Sequence, residues 1–145
     1  YIFVRRNLRY PLFEVFDGPA ANASCPDRGQ STTARQSLLM LNSELVLQMA
    51  QQLAGRVLDE GHTTPAEQAT AVFRRALSRT PEAGELEELV AFLEQQQALL
   101  TADARASEEL SLPISKASLE NPYAAAALTD LCLAVLNSSE FVYVD

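Results

Sequence analysis

A chain of 145 residues with 48% apolar and 21% charged residues is long enough to bury one core and too apolar for a disordered segment. Its formal charge of −8 speaks against a nucleic-acid partner, whose phosphates need a basic face. The longest apolar stretch, Tyr123 to Leu136, is interrupted by Thr129 and Asp130 and reads as a buried helix, so no membrane span is expected.

The chain opens on YIFVRR without an initiator methionine, as if cut from the C-terminal end of a longer protein. Charge is unevenly placed along it. Residues 1–35 carry five arginines against three acids, whereas residues 80–110 hold eight carboxylates against Arg105 alone. The acidic stretch reads as a solvated helix face. Near the start, Tyr10, Phe13 and Phe16 sit beside Arg5, Arg6 and Arg9, residue types that anchor interfaces as readily as they pack cores.

A long irregular segment follows and ends in CPDRGQSTTARQSLLMLN, Cys25 to Asn42. Loops of this length are usually functional or disordered. Phe16 and Cys25 both prefer burial, so an ordered loop is expected here. Asp17 would hold Arg28, and Gln36 would tie down the same turn. Asn42, between Leu41 and Ser43, has the character of an N-cap where one apolar pattern ends and another begins.

The next segments are clearly punctuated. From Asn42 to Glu60, Leu45, Val46, Met49, Ala50, Leu53, Val57 and Leu58 recur at helical spacing, and Gly61 supplies a C′ glycine. Thr64-Pro65-Ala66-Glu67 combines a capping threonine, a proline at the first helical position and a capping-box glutamate. It opens a helix to about Ser78 that buries Ala69, Val72, Phe73, Ala76 and Leu77. Thr80-Pro81 repeats the signal for a helix to about Ala102, with Leu86, Leu89, Val90, Leu93 and Leu100 inward. Residues 103–120 read as a loop with at most one short turn. Asn121-Pro122 opens a last helix to about Leu136, and Phe141 to Val144 are read as an extended end. The fold class is therefore all-α: one domain over 1–145, a single bundle of five or six helices with a long ordered N-terminal loop.

Chemistry-bearing residues are few. Cys25 and Cys132 permit one disulfide and show no metal-ligand spacing; Cys132, in an apolar run, reads as a small buried hydrophobe. His62 is the only histidine and sits in a turn beside Gly61. No metal site and no catalytic residue is assigned. Without Cys-x-x-Cys-His the chain has no c-type haem attachment, so no cofactor is expected in it.

Phe3-Val4-Arg5-Arg6, Pro11, Phe16-Asp17, Cys25, Arg28, Thr32-Thr33, Gln36, Leu38 and Leu41-Asn42 occur in an order that resembles a known family. It is the C-terminal domain of the large planctomycete proteins associated with cytochrome-c modules. Phe73 to Pro81 (FRRALSRTP) and Leu136 to Asp145 (LNSSEFVYVD) look like that family's second and third signatures; Ala34-Arg35 departs from its usual Pro-Leu. The resemblance implies an exported, extracytoplasmic parent that often carries haem in another module. It supplies no catalytic residues, because the family's activity is uncharacterised.

Two functional readings follow. In the first, the chain is a non-catalytic structural or docking module that meets a neighbouring domain of its parent, or another protein, through Arg5, Arg6, Arg9, Asp17, Arg28 and Gln36. The alternative is a small-molecule or glycan-binding site in the 14–36 loop, hydrolytic if Glu14 and Asp17 served as an acid–base pair. Arg28 and Arg35 would there clamp an anion. Asn42, Thr64, Thr80 and Asn121 are read as helix caps.

Overall fold

A computed structural model describes residues 43–103 and 109–142. All regular structure among them is helical: α1 (Glu44–Asp59), α2 (Pro65–Leu77), α3 (Ala83–Ala102), α4 (Pro122–Leu136) and the single turn α5 (Ser139–Val142). Glu44–Asp145 packs as a unit of its own. The expected ordered N-terminal loop, and the part of the single-domain expectation that covers it, lie outside the described residues.

The helix α4 is the centre of this unit and touches each of the other four. Its sequence explains why. Ala125, Ala126, Ala127, Leu128 and Thr129 are consecutive and all buried, as are Leu131, Cys132, Val135 and Leu136. A helix apolar on every side can only be an interior one. Its small residues let the neighbouring helices come close. Thr129 is the one buried polar residue among those described, and it returns its hydroxyl to the Ala125 carbonyl at 3.4 Å.

In α1, which packs on α4, Val46, Ala50, Ala54, Gly55 and Val57 are buried. Leu45 and Met49, expected on the inward side, are instead 39% and 51% exposed. They share the helical spacing of Val46, Ala50 and Val57, so spacing alone does not separate the covered residues from their neighbours. In α2 the expected Ala69, Val72 and Phe73 are buried, with Ala76 and Leu77 half-covered; in α3, Leu93 and Leu100 are buried.

The helix ends follow local chemistry. Thr64 Oγ1 accepts from the Glu67 amide at 3.3 Å, while Glu67 Oε2 accepts from the Thr64 amide at 3.1 Å. Asn121 Oδ1 accepts from the Tyr123 and Ala124 amides and opens α4. Gly61, at φ +83°, stops α1 in the left-handed region that glycine enters without strain. Ser78 occupies the same region at φ 57°, a position glycine would hold more cheaply.

Two expectations need correction. Thr80 is not the N-cap of α3; Glu82 is, and its amide donates to Glu85 Oε2 at 2.8 Å. The helix begins two residues late because the glutamate that can close a capping box, Glu85, stands three residues after Glu82, whereas Ala83 stands three after Thr80. The chain end is also not extended throughout. Ser138 accepts from the Phe141 amide through its hydroxyl at 3.3 Å, and its carbonyl takes the Phe141 and Val142 amides, which winds 139–142 into a turn. These differences make a contrast that melting can check. Thr64→Ala should cost about 1 kcal/mol, whereas Thr80→Ala should change stability by less than about 0.5 kcal/mol.

Residues 109–121, which lead into α4, cross α1 as a strap. The Ile114 amide donates to the Gln51 carbonyl of α1 at 3.0 Å. Gly55 lies one turn further along α1, directly under the strap. A methyl group on it would overlap the Ile114 carbonyl oxygen and stand 2.5 Å from the Ile114 carbonyl carbon. One turn beyond, Asp59 Oδ1 accepts from Ser115 Oγ at 2.6 Å and from the Lys116 and Ala117 amides at 2.9 and 3.1 Å.

Candidate functional site

Arg5, Arg6, Arg9, Asp17, Arg28, Gln36 and Asn42 all lie outside the described residues, as do Glu14 and Arg35. Among the described residues the densest polar cluster surrounds Arg79, in the turn between α2 and α3. An arginine has five N–H donors in a planar fork. Here Nε donates to Glu140 Oε1 at 2.6 Å and Nη2 to Glu140 Oε2 at 2.8 Å. Nη1 and Nη2 also donate to Glu85 Oε2 and Oε1 at 2.7 and 2.8 Å, and Nη1 reaches the Thr80 carbonyl at 3.4 Å. All five donors are taken. The guanidinium carbon also lies 5.1 Å from the centroid of the Phe73 ring, a cation–π contact.

Two bidentate pairs on one guanidinium make strong geometry out of a half-exposed site. The clasp joins α2 and α3 to α5 across 61 residues of sequence. Hydrogen bonding to Arg79 pushes Glu85 down to about 2 and lowers Glu140 below the usual carboxylate range. Both carboxyls are held below a free glutamate's 4.5, so the stabilisation is full above pH 4.5 and fades as pH falls toward 2. Acid titration followed by thermal melting should therefore show a declining melting temperature over that window. Glu85→Gln should lower the melting temperature at neutral pH and make the acid decline shallower. An equally steep decline in the variant would mean the clasp contributes nothing.

Other polar side chains also pair between elements. Asp130 accepts from Gln96 Nε2 at 2.8 Å between α4 and α3. Arg75 pairs with Glu60, and His62 Nε2 stands 3.5 Å from the same carboxylate. Cys132 is a free thiol, and burial pushes it up to about 12, which makes it a packing residue and a poor nucleophile. No group of three or more His, Cys, Asp or Glu among the described residues could hold a metal ion, and no described helix is long and apolar enough to cross a membrane.

The concave surfaces meet at His62. One cleft, of roughly 320 Å³, runs between the α1–α2 turn and the start of α4, with Thr63, Gln68 and Asn121 on its walls. A second lies along the outer face of α2 between His62 and Arg74. In the first, Gln68 Nε2 donates to the His62 carbonyl and Asn121 is committed to its cap, so its polar groups are partly occupied.

Residues 1–93 match the family model described as PSD1, protein of unknown function (DUF1553). The chain belongs to this family. No curated protein and no solved structure matches it. The DUF1553 match contains the first two signatures read from the sequence, together with Arg79 and Glu85, and ends before Leu136 to Asp145. The clasp thus ties a residue inside the matched span to Glu140 beyond it. Arg79 and Glu140 lie in the second and third signatures, but the sequence assigns them no role, because nothing local points 61 residues ahead from one to the other. Gly55 did leave a signal, as an isolated glycine within a helical pattern, which often marks a close backbone approach.

Proposed function

We propose that this DUF1553 chain is a non-catalytic structural or docking module of a larger exported, cytochrome-c-associated protein. In this reading it meets a neighbouring domain of its parent, or another protein, through Arg5, Arg6 and Arg9 and the 14–36 loop. The observation that carries the reading is the Arg79 clasp. Where charged side chains converge in the described bundle, they are occupied in holding helices together, which makes a stiff platform. The basic bias of residues 1–35, opposite in sign to the acidic 80–110 stretch, places the complementary charge for a partner in the N-terminal segment. Extracytoplasmic location and a cytochrome-c-associated parent rest on the sequence resemblance. The module is taken to need no haem or metal and to bind no nucleic acid.

Copurification tests this. The chain, expressed apart from the rest of its parent and mixed with it, should be retained on it without added cofactor. Failure to associate at micromolar concentrations would contradict the reading, as would turnover of a glycan or ester substrate by the chain alone.

A further inference from the structure

The strap between α3 and α4 is attached unevenly. Its first part is anchored by burial, since Leu110 and Pro113 are both buried. Its last residue, Asn121, is committed to capping α4. Between them, Ile114 is 58% exposed, and Lys116, Ala117, Ser118 and Glu120 are exposed as well. This middle part has little apolar burial to hold it. Its hold on α1 is polar and comes from one helix stripe, Gln51, Gly55 and Asp59, at i, i+4 and i+8. Gln51 offers a carbonyl, Gly55 offers room, and Asp59 gathers three donors on a single carboxylate oxygen. Ser115 Oγ also accepts from the Ala117 amide at 2.9 Å, so the Asp59 contacts form one small network.

Segments with few buried apolar contacts and solvent-accessible hydrogen bonds open at lower free energy than the core they lie on. Here the opening has a consequence for shape. Residues 117–121 line the roughly 320 Å³ cleft together with Leu58, Gly61, His62 and Thr63 of the α1–α2 turn. We propose that residues 114–120 are a lid latched by Asp59, which opens as a unit while the helices stay folded and so widens that cleft. The proposal does not depend on the docking reading, because the lid and its latch lie wholly within the described bundle.

Site-resolved hydrogen exchange on the intact chain tests it, with the Ile114 amide as the reporter. That amide is bonded to Gln51 and makes no bond to Asp59. In Asp59→Ala, the Ile114, Lys116 and Ala117 amides should all exchange at least about tenfold faster, since bonds to a charged acceptor are among the stronger ones lost. The amides of Leu128 and Leu131 in α4 should keep their rates. Acceleration at Lys116 and Ala117 with Ile114 unchanged would overturn the lid, because only individual bonds would then have been lost. If Asp59→Ala loosens the whole fold, the milder Ser115→Ala decides. It should speed the same three amides to a smaller degree, and acceleration shared equally by α4 would overturn the proposal.

Discussion

Gly55→Ala should destabilise the protein, although replacing a mid-helix glycine by alanine ordinarily stabilises a helix by about 0.5–1 kcal/mol. The reason is the strap. The added methyl would overlap the Ile114 carbonyl oxygen and crowd its carbon at 2.5 Å and the Ser115 nitrogen at 3.2 Å. These are backbone atoms, which cannot swing aside as a flexible side chain would. Either α1 shifts from α4 or the strap lifts, and the Gln51–Ile114 bond is stretched in both cases. Overpacking of this kind costs about 1–3 kcal/mol, and more when the obstacle is rigid. A net loss of that size in denaturant unfolding is the expected result. A gain of about 1 kcal/mol would mean the strap does not lie on Gly55.

Leu128→Ala should cost more. Leu128 is fully buried in α4, among the largest side chains with no exposure, and α4 is the helix that all the others touch. Truncation removes the transfer free energy of the lost methyl groups and leaves a cavity that four packed helices cannot readily close. Comparable substitutions cost about 2–5 kcal/mol. For a chain near this size, that is a fall in melting temperature of roughly 5–15 °C. Leu99→Ala provides the contrast on α3, where the side chain is 64% exposed and the expected change is within about 0.5 kcal/mol. Similar effects at the two leucines would contradict the assignment of α4 as the interior helix.

The parts of this fold that could be read from the sequence are those controlled by neighbours in the chain. Thr64-Pro65 and Asn121-Pro122 place the starts of α2 and α4 because the cap, the proline and the first amides lie within three residues of each other. Gly61 ends α1 for an equally local reason. Elsewhere the reading slipped. Thr80-Pro81 repeats the cap and proline of Thr64-Pro65 but has Ala83 where Thr64 has Glu67, and the capping box forms instead between Glu82 and Glu85. Phe141 and Val142 read as extended because they favour strands, while the Ser138 contacts that wind them into a turn depend on where α4 ends. In α1, Leu45 and Met49 share the helical spacing of Val46, Ala50 and Val57, yet they are exposed while the small Ala54 and Gly55 are buried. Spacing alone does not separate the covered residues from their neighbours on the same apolar side, and Gly55 is covered by the distant Ile114 backbone.

Less of the candidate site was legible. Composition pointed to the arginine-rich N-terminal segment, and Arg5, Arg6, Arg9, Asp17, Arg28 and Gln36 fall outside the described residues. Nothing in the sequence around Asp59 marks it as special. Its role depends on Ser115, Lys116 and Ala117, more than fifty residues later, and a loop's docking position leaves no periodic trace.

The central claim, docking through the N-terminal arginines, is tested most directly by titration calorimetry of the intact chain against the remainder of its parent protein. The wild type should be compared with the Arg5→Ala, Arg6→Ala, Arg9→Ala triple variant and with Arg79→Ala. The triple variant should lose binding by at least about tenfold while its melting temperature stays close to wild type. Arg79→Ala should lower the melting temperature and, below that temperature, leave the affinity unchanged. Undiminished affinity in the triple variant, or lost affinity in a still-folded Arg79→Ala, would contradict the account.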